Sequence, residues 1–183
     1  MPIKLRLVDF NDDRLDKTFK VSAAELGLNT EHDPMRVDGP ILVDVKARLT
    51  SEEDVLVQAV IRWRCVQECG LCLDEIAANR VDDFTMLFSP ENKRQPQEAA
   101  CEAESPDLGY YAGEEIDLDD EIAGFMLQEV EEYPRCRPDC RGLDPVTGEN
   151  LNHVSGEKAN AVKKAAQGVP DWKRKLKEIG GGE

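Results

Sequence analysis

Ile41, Val43, Val45, Ala47 and Leu49 recur at every second position, and after the turn Thr50 to Asp54 so do Val55, Val57, Ala59, Ile61 and Trp63. A period of two puts one face of each segment in a core and the other in water, which an α-helix cannot do. The pattern therefore predicts an antiparallel hairpin. A third segment from Ile76 to Phe88, with Phe84, Met86 and Phe88 on one side, extends the pair into a meander.

The same alternation predicts a strand over Ile3 to Phe10. Ser22-Ala-Ala-Glu25 has the form of a capping box, so a short helix is expected to run from there to Leu28, kept short by Gly27. No Lys or Arg occurs between Gln95 and Glu132. The stretch from about Glu91 to Gly113 is rich in Pro, Ala and acid and is expected to be a mobile loop. Beyond it, Leu118, Ile122, Phe125, Met126 and Val130 recur at helical spacing. Asp117 is placed to cap, and Asp119, Asp120 and Glu121 suit the positive end of a helix dipole. A helix over Leu118 to Glu132, stopped by Pro134, is predicted to cover the sheet. The fold class is thus α+β: an antiparallel meander, one covering helix and cysteine-bearing loops, forming a single domain over residues 1–155. Residues 156–183 form a basic tail carrying Lys158, Lys163, Lys164, Lys173, Arg174, Lys175 and Lys177. Trp172, Leu176 and Ile179 in that tail have the spacing of a helix that docks on the core.

Charge narrows the function. With 38 acids against 23 bases the formal charge is −15, which disfavours generic binding to phosphate backbones or anionic membranes. No apolar run reaches the roughly 18 to 20 residues that span a bilayer. The chain is expected to stay in the cytoplasm, where a disulfide framework is disfavoured and six cysteines read as metal ligands, redox thiols or buried residues.

Cys69-Gly-Leu-Cys72 and Cys136-Arg-Pro-Asp-Cys140 offer four thiols in a two-plus-two arrangement. Zinc takes such pairs because each supplies two soft ligands from one turn. Arg135, Arg137 and Arg141 are expected to offset the charge of a tetrathiolate and lower the thiol pKa values. The alternatives are thiols without metal, a partial site with Cys65 or His153, or Cys-x-x-Cys redox chemistry, which needs the motif to open a helix. Cys65, Cys69 and Cys72 are all expected at the turn between the second and third hairpin strands, and Cys101 in the acidic loop is expected to be unreactive. The run Glu114 to Glu121 lacks the glycine and terminal Glu of a calcium loop and reads as a solvated helix start. With His32 and His153 the only histidines, no nucleophile–base triad is suggested. In the tail, Trp172 could stack on a base while its cations meet phosphates.

Taken in order, the hairpin into Cys69-x-x-Cys72-Leu73, the long polar segment, Glu115-Ile-Asp-Leu118 before the helix and the run Cys136 to Asn152 resemble the YceD family. These small, mostly bacterial proteins, with plastid relatives, are implicated in accumulation of 23S ribosomal RNA and the large ribosomal subunit. The resemblance implies a non-catalytic role in ribosome production, which is compatible with the chain's acidity if an acidic face binds basic ribosomal or assembly proteins. The tail residues Lys163, Lys164, Lys173, Arg174, Lys175 and Lys177 would approach rRNA. Many members read Gly-Leu-Cys-Pro-x-Cys-Gly after the second cysteine pair, where this chain has Asp144 and Thr147. Thr rarely ligates zinc, so a self-contained four-cysteine knuckle is excluded. Either Cys69 and Cys72 complete a zinc site with Cys136 and Cys140, or the metal is lost and turn chemistry through Pro145, Gly148 and Asn150 holds the loop. Competing functions are a zinc-binding adaptor for a protein outside the ribosome and a thiol-disulfide enzyme.

Overall fold

The computed structural model describes residues 2–50, 53–93 and 108–154. The chain divides into two compact units, one of Met1–Gln67 with Ile76–Glu132, the other of Glu68–Glu75 with Tyr133–Glu183.

The first unit is mostly β-sheet with one described α-helix. Strands β1 (Lys4–Arg6), β2 (Arg14–Val21), β3 (Arg36–Val37), β4 (Ile41–Leu49), β5 (Val55–Glu68), β6 (Glu75–Pro90), β7 (Leu108–Tyr111) and β8 (Glu115–Asp117) precede the helix Asp119–Gln128. The main sheet runs β2-β4-β5-β6-β7, and β3 pairs with Cys65 and Val66 of β5, beyond the stretch that β4 covers. The expected hairpin is present, with Val43 opposite Ile61, Val45 opposite Ala59 and Ala47 opposite Val57, every one of them buried. Phe84, Met86 and Phe88 of β6 lie in the same core. Ile122, Ala123 and Met126 turn one helix stripe inward, and Phe125 meets Phe84 edge to face at 5.5 Å between ring centroids.

Besides the helix, which ends at Gln128 and not at the expected Glu132, four details depart from the sequence expectations. Strand β7 runs parallel to β6, so the sheet is mixed instead of a purely antiparallel meander. Parallel pairing needs a crossover, and a four-residue strand inside an acidic stretch carries too little alternation to announce itself. That stretch is therefore not loop throughout, since Glu91–Lys93 forms a 3-10 turn and Leu108–Tyr111 a strand. Gly109 lets this strand approach, because a Cβ there would lie 2.7 Å from the Phe88 ring. Strand β2 was not anticipated, although Leu15, Phe19 and Val21 alternate, because its inward face is interrupted by Lys17.

The third departure is at the N-terminus, where the predicted strand Ile3–Phe10 shortens to β1 followed by a 3-10 turn at Leu7–Asp9. β1 joins β8 in a separate two-stranded sheet, with Leu5 opposite Ile116 and both fully buried. The Asp119 carboxylate accepts the Ile3 N–H at 2.7 Å, and Ile3 O accepts the Leu118 N–H at 3.0 Å, so the chain start fastens the helix start. Asp117 accepts the Asp119 N–H at 3.1 Å, as its position before the helix suggests. The fourth is the capping box at Ser22 and Glu25, which forms but opens a 3-10 turn, Ala23–Leu26, closed by Gly27 at φ +67°. The basic tail, its docking helix and Cys101 lie outside the described residues.

Candidate metal centre

The second unit is built from the connection between β5 and β6 and the segment after the helix. Two tight turns present the thiols. In the first, the Cys69 N–H donates to Asp74 O and the Leu73 N–H to Cys69 O, each at 2.9 Å, with Leu73 itself at φ +63°. In the second, the Cys140 N–H donates to Arg137 O at 3.2 Å. The turns are sewn together by Gly70 N–H to Pro134 O and Leu143 N–H to Leu71 O, both at 2.9 Å.

These contacts bring the four predicted cysteines to one point. Cys69 Sγ lies 3.8 Å from Cys140 Sγ, and Cys72 Sγ lies 3.6 Å from Cys136 Sγ. All four sulfurs fall within 4.8 Å of one another. A tetrahedral ion with metal–sulfur bonds of about 2.3 Å separates its ligands by about 3.8 Å, close to the two shortest separations here, so the set could hold such an ion. Cys69 and Cys72 are buried, Cys136 and Cys140 half-buried, and all are free thiols.

The surroundings favour thiolate at two of the four. The backbone N–H of Cys136, 3.4 Å from Cys69 Sγ, leads the groups that bring the Cys69 thiol down to about 6. The Asn152 amide, 3.3 Å from Cys140 Sγ, lowers that thiol as well. Burial acts the other way on the second pair, pushing Cys72 up to about 12 and raising Cys136. Four sulfurs this close cannot all ionise by themselves, whereas a dication would make all four thiolates favourable. The arginines are not among the causes that lower these two thiols. The leading causes of the low values are backbone N–H groups and Asn152, while Arg135, Arg137 and Arg141 stand exposed.

Around the thiols lies a polar shell in which Asn150 and His153, named from the sequence for turn chemistry and a partial site, meet Asp74 instead. Asn150 donates to Cys72 O at 3.2 Å and to Asp74 Oδ1 at 2.9 Å, which leads the lowering of the Asp74 pKa. His153 sets Nε2 3.1 Å from Asp74 Oδ2, so it serves this shell and is not among the four clustered ligands. The Gly-Glu-Asn-Leu-Asn sequence after the cysteines was the available signal. Cys65 is not in the turn at all: it sits buried in β5, where desolvation raises its thiol.

Asp144 and Thr147 form a turn of their own. Asp144 Oδ1 accepts the N–H groups of Val146 at 2.9 Å and Thr147 at 2.7 Å and the Thr147 hydroxyl at 3.2 Å, which keeps its buried carboxyl below the usual range. The Gly148 N–H closes the turn on Asp144 O at 2.8 Å with Gly148 at φ +71°. The turn chemistry offered as an alternative to a metal is therefore present together with the cysteine cluster.

No solved structure matches the chain. Uncharacterized proteins of Mycobacterium tuberculosis and Mycobacterium bovis are each 29% identical over 161 residues, covering 83% of this chain and 72% of theirs. The family model described as large ribosomal RNA subunit accumulation protein YceD matches residues 57–177, a span that takes in most of β5, all of β6, the helix and both cysteine pairs. The chain belongs to the YceD family.

Proposed function

We propose that the protein is a non-catalytic cytoplasmic factor that supports 23S rRNA accumulation and large-subunit assembly, with its second unit braced by a structural zinc ion. The observation that carries the metal is the convergence of Cys69, Cys72, Cys136 and Cys140 within 4.8 Å. Four protein sulfurs fill a tetrahedral shell and leave no position for a substrate, so the ion would supply cross-linking between two chain segments and not Lewis-acid catalysis. The ribosomal part rests on family membership. In this reading the acidic surface meets basic ribosomal or assembly proteins. Lys163, Lys164, Lys173, Arg174, Lys175 and Lys177 reach rRNA.

Deleting the gene and profiling rRNA tests the function: reduced 23S relative to 16S supports it, and unchanged 23S overturns it. A zinc adaptor for a non-ribosomal protein would instead leave rRNA untouched while the metal content stayed at one ion per chain. A thiol-disulfide enzyme is less favoured, because the closest sulfur contacts run between the two motifs and Cys69 opens a turn between strands and not a helix.

A further inference from the structure

Arg135, Arg137 and Arg141 interleave with the second cysteine pair and stand exposed, while the groups that donate to the sulfurs are backbone N–H groups and Asn152. Arg137 has one loose ion pair, at 3.7 Å from Asp139. Just before them Tyr133 leaves 77% of its surface in water, the most exposed large apolar side chain among the described residues. The nine residues Tyr133 to Arg141 carry three arginines against one carboxylate, enough to offset the double negative charge that four thiolates and a dication would leave, in a chain whose net charge is −15. Pro134 and Pro138 stiffen this segment, and the bonds Gly70 N–H to Pro134 O and Cys140 N–H to Arg137 O fix its course. Three exposed guanidinium groups and an open aromatic ring within nine residues are the equipment for single-stranded nucleic acid: planar forks for phosphate and a π-face on which a base stacks. An acidic peptide would use the arginines but gain little from the exposed ring.

We infer that the Tyr133–Arg141 segment is a contact surface for single-stranded RNA, with Arg135, Arg137 and Arg141 on phosphates and Tyr133 stacked on a base. This deepens the ribosomal reading and rests on it, and it places RNA contact on the cysteine loop as well as on the tail. The metal-loaded full chain is titrated into a fluorescein-labelled, mixed-sequence 20-nucleotide RNA over a series of salt concentrations. Replacing all three arginines (R135Q/R137Q/R141Q) removes up to three phosphate contacts, so the slope of log affinity against log salt shrinks by about 2, at about 0.7 per phosphate. Affinity near physiological salt falls at least tenfold. Tyr133→Ala weakens binding about 5- to 150-fold, the range of one lost stacking contact, and leaves the slope unchanged. Metal content and circular dichroism of each variant show that the loop is intact. If an intact triple variant keeps both affinity and slope, the inference is overturned. Preference for an oligoglutamate peptide over RNA overturns it too. Should the arginine variant bind RNA normally while tail substitutions abolish binding, this surface fails and the ribosomal reading stands. Loss of RNA binding in the variants combined with unchanged 23S on gene deletion supports the surface and defeats the ribosomal reading.

Discussion

At the scale of single residues, the cysteine unit depends on backbone that few side chains tolerate. Gly142 sits at φ +72°, and a Cβ there would lie 3.0 Å from Leu71 O. That carbonyl is the one receiving Leu143 N–H, so the bond joining the two cysteine turns is adjacent to the clash. Gly142→Ala is expected to cost about 1–2 kcal/mol for the left-handed backbone alone, measured by denaturant unfolding, and to weaken metal binding further. Asn152 should matter through the metal, because its amide orients the Cys140 sulfur at 3.3 Å. Asn152→Ala is expected to lower metal affinity about 10- to 100-fold in chelator competition while leaving one ion per chain at saturation. Neither residue could be weighted from sequence alone. A glycine among turn residues and an asparagine after them are common, and only the approach of Leu71 and Cys140 makes these two particular.

At the scale of elements, the small β1–β8 sheet holds the chain start against the helix start through Leu5 and Ile116. Ile116 has no exposed surface, so Ile116→Ala is expected to destabilise by about 2–5 kcal/mol in urea unfolding. The pairing was beyond sequence reading because each strand has three residues and the partners are more than a hundred positions apart. The Asp144 turn and the Asp74 shell predict a pH dependence. Both carboxyls are held below their ordinary range, by Thr147 N–H and by Asn150 respectively, so the unfolded chain takes up their protons at higher pH than the folded one. Their contribution is therefore complete above the ordinary carboxylate range and is lost as pH falls through the depressed values. In urea unfolding of the reduced, metal-free protein, Asp144→Asn, whose neutral acceptor stands in for the protonated carboxyl, should lower stability near neutral pH and flatten its fall toward acid.

For the whole molecule, the two units draw on different sources of stability. The sheet unit has its own apolar core of interleaved strands and helix, including Val43, Ile61, Phe88 and Ile122. The described part of the cysteine unit has few buried apolar residues besides Cys69 and Cys72, with Leu71, Leu73, Tyr133 and Val146 exposed. So little burial leaves cross-linking as the main available support. Chelation under reducing conditions should produce a separate low-temperature transition in calorimetry while the β-sheet circular dichroism persists. A single unchanged transition, with no zinc in purified protein, would defeat the metal centre.

Periodicity alone specified the β4–β5 hairpin, the inward face of β6 and the apolar stripe of the helix, because alternation and the helical repeat are local properties that burial enforces directly. The cysteine spacings likewise named four candidate ligands, and a shared metal site required the two distant pairs to meet. Local pattern could not supply the parallel β7, the β1–β8 pairing or Cys65's place within a strand, since each depends on a long-range partner. The tertiary structure also decided which groups stabilise the thiolates. Hydrogen bonds to sulfur act within a few ångströms and need aligned donors, so Cys136 N–H and Asn152 took the part that sequence proximity had suggested for the arginines.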